Sequence, residues 1–529
     1  MGLHWIDWLV LIGTISFIII YGIIKSKKAS QGASEFLKGT EHVKWYAIGL
    51  SVMATQASAI TFMSTPGQAF HDGMGFVQFY FGLPIEMEII CIKFIPIFHR
   101  LNVYTAYEYL ENRFDNKTRI LTSLLFLIQR GLGTGITIYA PSIILSTILG
   151  WDLTSLNYIT GGLVILYTIS GGTKAVAITQ NQQMAIMIGG MIMAFCVTLH
   201  LLPENIGLSE AMTVAGFDNK MNILDFSFDP ENRYTFWSGI TGGMFLALAY
   251  FGTDQSQVQR YISGNNIRES RLGLIFNGLL KVPMQFFILM CGVMVFVFYQ
   301  YQKAPVFFNQ HVLTKLKSGE HKEKVIELES KYNEVFDARK LLISDTEKSH
   351  LQIDKIQLLN AEEKKIRTEI KTLVKNSNYE DNDKDYVFIS FVLKYLPIGV
   401  IGLLLAVVFN AAMSASSSGI SALATCTTID IYKRNFARDK SDSHYLKAGK
   451  IFTLMWGIAS IQFANMSSMF ENLIQFVNII GSIFYGTILG IFLSGFYIKR
   501  IKGNHVFIAA IITEIMVIAL YKSYEIGYL

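Results

Sequence analysis

Charged residues are scarce in this chain. Only 16% of its 529 residues are Asp, Glu, Lys or Arg, whereas 51% are hydrophobic and the mean hydropathy is +0.38. This composition excludes a soluble protein of this size. The apolar runs are continuous and about twenty residues long, which excludes an outer-membrane barrel of short alternating strands. We therefore predict an all-α polytopic membrane protein.

Cysteines and catalytic motifs are also nearly absent. The chain has four cysteines, all in apolar stretches, and they predict neither a disulfide framework nor a metal cluster: Cys91, Cys196, Cys291 and Cys426. No Walker A, HExxH or GxSxG pattern occurs, so we expect no enzyme activity. The net charge of +5 does not indicate nucleic-acid binding, because the basic residues lie mostly in short loops.

Twelve apolar segments are long enough to cross a bilayer. They cover about residues 5–24, 46–70, 76–99, 119–149, 156–171, 178–201, 235–254, 272–300, 397–427, 446–464, 471–496 and 504–524. We expect the first to be retained rather than cleaved as a signal peptide. Lys and Arg are concentrated in the loops after spans one, three, seven, nine and eleven, which predicts extracytoplasmic N- and C-termini in a cell inner membrane.

The ninth span carries a ladder of hydroxyl groups. Ser414, Ser417, Ser418 and Ser421 fall at i, i+3, i+4 and i+7, so a helix places them on one face. Such a face offers neutral oxygen ligands that suit a small hard cation such as Na⁺. The alternative is structural, with each serine bonding the carbonyl one turn back and allowing close helix packing.

Two spans contain residues that interrupt helices. The middle of span two is crowded with small and hydroxyl residues and is followed by Pro66-Gly67, so it either unwinds to free backbone carbonyls or forms a kinked packing helix. Five spans later, Gly239, Gly242, Gly243 and residues 252–255 interrupt span seven. This spacing favours unwinding, because an inverted repeat of two five-helix units would place paired breaks there.

Several charges lie at membrane depth. Lys281 should pair or bond within the bundle, and Arg130 either holds a substrate carboxylate or caps an interhelical polar network. Glu86 and Glu88 are expected to form an internal ion pair with Lys93, and a proton-relay role for Glu86 is the alternative. These charges favour a transport function without naming the solute.

Four segments together resemble the sodium:solute symporter family. They are Tyr104–Phe114 (YTAYEYLENRF), Tyr167–Gly172 (YTISGG), Thr253–Tyr261 (TDQSQVQRY) and Asp430–Lys433 (DIYK). Ser64–Phe70 (STPGQAF) is most similar to the iodide, monocarboxylate and multivitamin branch, while Asp254-Gln255 is closer to the sugar branch. The resemblance implies a leucine-transporter-type inverted repeat of 5+5 helices with one extra helix at each end.

The resemblance also implies how the chain is divided. The expected parts are 1–45, an extra helix and cytoplasmic loop; 46–201, the first repeat; 202–234, an external loop; 235–301, the start of the second repeat; 302–386, a charged helical-hairpin insertion; 387–496, the rest of the second repeat; and 497–529, the last helix. We expect the insertion to be an extracytoplasmic solvated spacer rather than a binding domain.

The family's principal Na⁺ site maps onto the backbone carbonyls of Ala54, Ala57 and Ala411 and the hydroxyl of Ser414. The family usually has a second hydroxyl at the next position, where this chain has Ala415, and Ser418 or water would have to replace it. A second Na⁺ site of some members maps onto Ser417, Ser418 and an aspartate that is Gln180 here. Because a neutral amide supplies an oxygen but no charge, we predict one Na⁺ per cycle.

The substrate positions of the sugar branch map onto six residues of this chain, Thr61, Tyr80, Leu83, Ala247, Lys281 and Asn478, and its inner gating aromatic maps onto Tyr250. The predicted substrate site has six residues: Thr61, Tyr80, Arg130, Tyr250, Lys281 and Asn478. The carboxylate and carboxamide positions of sugar carriers are lost, which favours an organic anion or sugar acid neutralised by Lys281 or Arg130. The expected function is Na⁺-coupled import of a small-molecule solute across the lipid bilayer, with a monomer as the simplest assembly. A non-transporting solute sensor and a proton-coupled symporter stay open as alternatives.

Overall fold

The computed structural model describes residues 3–27, 32–39, 43–229, 232, 234–343, 352–377, 379, 381, 383–466 and 473–523, with side chains at 147–148 and 473–478 excepted. The first half contains helices α1 Trp5–Lys27, α2 Ala33–Leu37, α3 Trp45–Gln56, α4 Ala59–Asp72, α5 Leu83–Ile89, α6 Ile95–Leu101, α7 Glu108–Arg113, α8 Asn116–Leu149, α9 Leu153–His200, α10 Leu208–Gly216 and α11 Phe236–Ser238. The second half contains α12 Met244–Thr253, α13 Gln255–Tyr261, α14 Ile267–Tyr301, α15 Gln310–Ser318, α16 Lys322–Ile343, α17 Ile353–Asn376, α18 Lys384–Tyr395, α19 Val400–Cys426, α20 Asp442–Met466, α21 Leu473–Tyr497 and α22 Gly503–Ser523.

The predicted all-helical membrane architecture is confirmed. Seven helices in the described ranges are individually long and apolar enough to cross a membrane. One of them, α9, contains two of the predicted spans, and spans two, three and seven are divided into shorter helical pieces. Division of these spans leaves backbone groups unpaired inside the protein, which a membrane protein tolerates only beside a cavity or a partner group.

The fifth and sixth spans are joined without the loop that the sequence predicts at 172–177. The helix α9 is interrupted at Gly172, where φ is 55° and ψ is −153°. A positive φ of this size favours glycine. The Tyr167 hydroxyl lies 3.3 Å from the Ala175 carbonyl oxygen, whereas eight residues of straight helix would separate them by about 12 Å. The chain therefore folds back at Gly172, where a Cβ would also overlap Phe36.

The helix α14 packs along both halves of the second span. A Cβ on Gly273 would overlap Ile48 of α3, and a Cβ on Gly292 would overlap the Pro66 carbonyl of α4. Close approach through small residues is how helices associate in a bilayer. Pro66 removes one backbone hydrogen bond from α4, and the packing against α14 offsets that loss. The helix continues to Asp72. Pro66 therefore lies inside a continuous helix, within the span that the sequence predicts to reach about residue 70.

The helices α15, α16 and α17 form a module beyond the C-terminal end of α14. Two arginines in it share the Glu363 carboxylate: Arg367 donates to one oxygen at 2.9 Å and Arg339 to the other. Arg367 also donates to the Tyr332 hydroxyl at 3.0 Å. Burial would raise the pKa of Glu363, but the two guanidinium groups outweigh burial and lower it below its usual range. Opposite charges therefore stabilise the centre of the module.

The chain that leaves the module is fastened to the end of α4. The Lys384 ammonium lies 2.7 Å from an Asp72 carboxylate oxygen. A Cβ on Gly67 would overlap the Lys384 carbonyl oxygen, so only glycine permits this approach. Asp383, which is 1% exposed, accepts a hydrogen bond of 2.8 Å from the Phe308 amide. The charged segment thus has a defined attachment to the helix that follows the break in span two.

Candidate functional site

The second span is interrupted at Ala57 and Ser58. Ala57 has a ψ of 89° and Ser58 a ψ of 174°, both far from helical values. The Ser58 amide donates to the Gln56 carbonyl at 3.0 Å instead of the Ala54 carbonyl, its partner in a continuous helix. The predicted unwinding is confirmed, and it frees the Ala54 carbonyl for another donor.

That donor comes from the ninth span. The Ser414 hydroxyl of α19 donates to the Ala54 carbonyl at 2.8 Å. Ala54, Ala57, Ala411 and Ser414 are all fully buried. The unwound second span and the hydroxyl-bearing ninth span therefore meet, as the sequence predicts. Carbonyl oxygens of unwound segments are groups that coordinate coupling ions in inverted-repeat transporters.

The other serines of the ladder have different partners. The Ser417 hydroxyl donates at 3.2 Å to the Ser414 carbonyl within its own helix, which is the structural role considered above. The Ser421 hydroxyl shares a hydrogen bond of 2.6 Å with Thr173. Ser414 and Ser418 therefore both reach the second span, the latter with its hydroxyl 3.2 Å from that of Thr55, whereas Ser417 and Ser421 stabilise the ninth span and its packing.

Gln180 of α9 lies between the second and ninth spans. Its amide nitrogen lies 2.9, 3.1 and 2.9 Å from the hydroxyl oxygens of Thr55, Ser414 and Ser418, and its two hydrogens can be donated to two of them at a time. Its carbonyl oxygen accepts a hydrogen bond from the Ser51 hydroxyl. The oxygen that the sequence predicts this neutral amide to supply is therefore bonded to Ser51, and the nitrogen faces the serines of the ninth span. A donor group occupies the place that a cation would take among the same hydroxyls.

The seventh span breaks at Asp254, between α12 and α13, where ψ is 119°. One Asp254 oxygen accepts from the Ser256 amide at 2.9 Å and so caps α13. The other oxygen accepts from Arg130 and, at 3.0 Å, from the Tyr485 hydroxyl. The predicted break is confirmed. Of the two roles considered for Arg130, the structure shows a polar network, which the ion pair with Asp254 anchors.

A cavity of about 170 Å³ lies beside both breaks. Thr61, Tyr80, Arg130 and Tyr250, four of the six predicted substrate residues, line it. The remaining lining residues combine aromatic rings, hydroxyls, amides and apolar groups: Thr55, Gln56, Ser58, Ile60, Phe79, Leu83, Gln129, Gly133, Thr134, Thr137, Leu246, Ala247, Phe251, Ala415, Ile480, Gly481 and Tyr485. A mostly apolar wall with a few convergent polar groups is typical of small-molecule sites.

Two of the predicted substrate residues are not part of this wall. Lys281 is 1% exposed, and its ammonium lies 5.7 Å from the centre of the Tyr80 ring. Within the described residues this cation–π contact holds the ammonium inside the bundle, where the sequence predicts that Lys281 pairs or bonds. The side chain of Asn478 lies outside the part of the chain that the structure describes.

The predicted ion pair around Glu86 is also absent from the described residues. Glu86 is fully buried, and neither of its carboxylate oxygens has a hydrogen-bond partner there. Glu88 and Lys93 are exposed instead. The reason is geometric, because the α5 face that carries Glu86 points into the bundle while the other two residues point away from it.

Three of the sequence motifs converge at one end of the bundle. The Thr105 hydroxyl donates to Asp430 at 2.7 Å, and Gln255 accepts from the Ala106 amide at 3.0 Å. Arg434 and Arg119 both donate to Glu111, and these hydrogen bonds lower the pKa of Glu111 although burial opposes them. This polar network joins α7, α8, α13 and the end of α19.

Residues 36–328 and 372–513 match the sequence model of the sodium:solute symporter family. The chain belongs to this family. The unmatched residues 329–371 lie within the charged module. The resemblance stated from the four motifs is therefore confirmed, and so is the leucine-transporter-type fold class.

Named relatives of this symporter chain carry different solutes. It is 32% identical over 276 residues to the human sodium/iodide cotransporter and 33% identical over 259 residues to the bovine sodium-coupled monocarboxylate transporter 2. These matches cover 52% and 49% of the chain but only 42% and 41% of those relatives. The match to the sodium/sialic acid symporter SiaT of Proteus mirabilis is 26% identical and covers 98% of the chain and 90% of SiaT.

A solved structure shares the fold of this symporter over nearly its whole length. The outward-open, substrate-bound structure of a Na⁺-coupled sialic acid symporter superposes with a TM-score of 0.77 and 24% identity. The match covers 99% of this chain and 93% of that one. At this identity the similarity establishes the fold, and the ligands of this chain must be argued from its own residues.

Sequence reasoning did not identify Asp254, Gln129 and Tyr485 as parts of the site. Asp254 was recognised only as part of a helix break, although a buried acid at such a break calls for a partner. Gln129 and Tyr485 share a hydrogen bond of 3.0 Å across 356 residues of sequence. No local pattern signals a contact of that kind.

Proposed function

We propose that this symporter couples Na⁺ entry to the import of a small organic solute by alternating access. An organic anion or sugar acid is the favoured solute, and a sugar is the lesser option. The observation that carries the proposal is the hydrogen bond between Ser414 and the freed Ala54 carbonyl at the break of the second span. An ion bound there would tie two otherwise separate helices together.

Neutral oxygens support Na⁺ as the coupling ion. Na⁺ would be held by the carbonyls of Ala54, Ala57 and Ala411 and by the Ser414 hydroxyl. All four residues are fully buried, so the ion would exchange its water for protein oxygens. No carboxylate is needed for a monovalent cation, and within the described residues no acidic group contributes to a metal-binding cluster.

We propose one Na⁺ per cycle. Ala415 faces the central cavity, so the usual second hydroxyl is missing there. The Ser418 hydroxyl is already bonded to Gln180 and lies 3.2 Å from that of Thr55. The Gln180 nitrogen donates where a second cation would need acceptors. Both observations support a single ion.

Arg130 supports an anionic solute. It lines the cavity, and its Nε has no hydrogen-bond partner within the described residues. Tyr250 lies against the same guanidinium, 5.2 Å from ring centre to the Arg130 carbon. Lys281 would contribute through Tyr80 rather than by direct contact. Thr61 and Tyr80 complete the proposed wall, and Asn478 stays a prediction.

Na⁺ and solute would both shift the equilibrium between the outward-open and the inward-facing state. Na⁺ joins α3 and α4 to α19 and favours the outward-open state, the solute fills the cavity, and the bundle rocks inward. Each ligand must then raise the affinity for the other by the same factor. Moving one net charge through about 100 mV supplies roughly 2.3 kcal/mol, or about fiftyfold accumulation. A monoanion carried with one Na⁺ would move no net charge.

Proteoliposomes with an imposed Na⁺ gradient test the proposal. Na⁺-dependent uptake and counterflow of a radiolabelled organic acid are expected, with no current for a monoanion. A solute sensor would show binding without counterflow. The double substitution Arg130→Gln with Asp254→Asn should remove uptake of acids without leaving the buried Asp254 carboxylate unpaired, and uptake by this variant equal to that of the natural chain would exclude Arg130 from the site.

Proton coupling is a second candidate because of Glu86. A buried carboxyl group without a donor or cation nearby is a suitable carrier of a proton. Uptake that follows a pH gradient without Na⁺, and that Glu86→Gln abolishes, would favour this candidate over Na⁺ coupling.

We further propose an inner-membrane location with both termini extracytoplasmic, as the distribution of Lys and Arg indicates. The number of spans supports termini on the same side. Reporter fusions that are active only in the cytoplasm should stay inactive at either end. We also predict a monomer, which light scattering of the purified protein would test.

A further inference from the structure

Two buried acceptor oxygens face the central cavity without a donor. Gln56 and Gln129 both line it, and the side-chain carbonyl oxygen of each lacks a hydrogen-bond partner within the described residues. Gln129 is only 4% exposed. A buried acceptor of this kind is expensive unless a ligand supplies the missing hydrogen.

The orientation of Gln129 is fixed by its neighbours. Asp254 is ion-paired with Arg130 and can only accept hydrogen bonds, so the single proton of the Tyr485 hydroxyl is directed at Asp254, 3.0 Å away. The Tyr485 oxygen must therefore accept, and the group that donates to it at 3.0 Å is the Gln129 nitrogen. The carbonyl oxygen of Gln129 is left for the cavity.

Arg130 offers a donor to the same cavity but little net charge. One terminal nitrogen of the Arg130 guanidinium donates to Asp254, whereas the Nε of Arg130 has no hydrogen-bond partner within the described residues. A bare anion would gain only a part of the attraction of a free arginine, because the carboxylate of Asp254 already neutralises it. An anion that also carries hydrogen-bond donors would use both kinds of group.

We propose that the solute is a hydroxylated carboxylate, an inference that rests on the proposed function. Its carboxylate binds Arg130, and its hydroxyl groups donate to the carbonyl oxygens of Gln129 and Gln56. Arg130 and Gln129 are consecutive residues of α8, both line the cavity, and Asp254 and Tyr485 connect their side chains through three polar contacts. This arrangement fits a small hydroxy acid, in which the carboxylate and the hydroxyl group are close together.

Matched pairs of probes test this inference on the full chain in lipid nanodiscs with Na⁺. Lactate is compared with propionate, gluconate with hexanoate, and gluconate with sorbitol, by competition or thermal stabilisation. Each hydroxylated acid should bind about tenfold to a hundredfold more tightly than its partner, because an unpaired buried acceptor carries a penalty of that size. Iodide should bind no better than propionate.

Gln129→Leu should bring these ratios towards one, because it removes the carbonyl oxygen to which the hydroxyl group would donate. Gln462→Leu is the matched control, because Gln462 also donates to a tyrosine hydroxyl, that of Tyr158 at 3.2 Å, but lies on the exposed surface. Should either variant fail to fold, the ratios for the natural chain still decide the question.

Equal binding within the pairs, a preference for sorbitol, or no binding of any acid would each overturn the inference. Equal binding of lactate and propionate with Na⁺-driven uptake of both would leave the proposed function intact. The absence of Na⁺-dependent uptake for every solute would instead contradict the proposed function itself.

Discussion

Replacing Gln180 with aspartate should give this symporter a second Na⁺ site. The amide nitrogen now lies 2.9–3.1 Å from three hydroxyl oxygens, and its two hydrogens are donated among them. A carboxylate there cannot donate, and it adds a negative charge in a fully buried position. An unpaired charge at such a site costs several kcal/mol. A cation among the Thr55, Ser414 and Ser418 hydroxyls would remove most of that cost.

The expected gain can be stated as an energy. One additional Na⁺ per cycle adds roughly 2.3 kcal/mol of driving force at about 100 mV, which raises the limiting accumulation of solute about fiftyfold. Thermal stability of Gln180→Asp should also rise more steeply with Na⁺ concentration than that of the natural protein, because the ion stabilises only the folded state.

The assay is the number of charges moved per solute in proteoliposomes, with the Na⁺ dependence of the melting temperature as a second readout. Gln180→Leu is the control, since it removes the same hydrogen bonds without adding charge. The Gln180→Asp variant could fold, transport solute and still move the same charge per solute as the natural protein. That result would refute the argument that the Gln180 nitrogen occupies the position of a second Na⁺.

Three further predictions concern other parts of the molecule. Ser414→Ala should abolish Na⁺ stimulation of uptake, whereas Ser417→Ala, which loses only a bond within its own helix, should not; equal Na⁺ dependence of the two variants would remove Ser414 from the site. Glu363→Gln leaves two buried arginines without a counter-charge and should cost the module about 3–5 kcal/mol, measured by limited proteolysis. Because the pKa of Glu363 is lowered in the folded state, its contribution is present above the usual carboxyl range and lost as pH falls through the lowered value, so acidification should expose the same cleavage sites. Gly67→Ala should loosen the module and Gly75→Ala, whose nearest neighbour is 4.0 Å away, should not; equal protease sensitivity would contradict the attachment.

Local composition was enough to predict the helix breaks. Small and hydroxyl residues around Ala57 and the Gly-Thr-Asp sequence ending at Asp254 disfavour a continuous helix, and the chain unwinds at both positions. Spacing placed the four serines of the ninth span on one face, and the resemblance to the family placed Ser414 beside the second span, where its hydroxyl donates to the Ala54 carbonyl. The fold class followed from apolar runs and motifs that together extend over most of the chain.

Long-range pairing was beyond the reach of sequence patterns. Arg130 and Asp254 are 124 residues apart, and their ion pair depends on how α8 and the seventh span pack. The orientation of Gln180 depends on Ser51, 129 residues away, which donates to its oxygen. The reversal at Gly172 was hidden because the residues on both sides of it are equally suited to a helix.

The contact between Gly67 and Lys384 has a mechanical consequence. The half-helix that contains Thr61 contacts Lys384 there, and Asp383, the residue before Lys384, pairs with Lys371 of α17 at 3.3 Å. The other end of α16 and α17 is held as well, because Ile343 and Ile356 are buried against the core of the bundle and Gln357 donates to the Phe217 carbonyl at 3.3 Å. The module therefore bridges two places on the bundle, so an antibody that grips it should slow the carrier without touching its binding site.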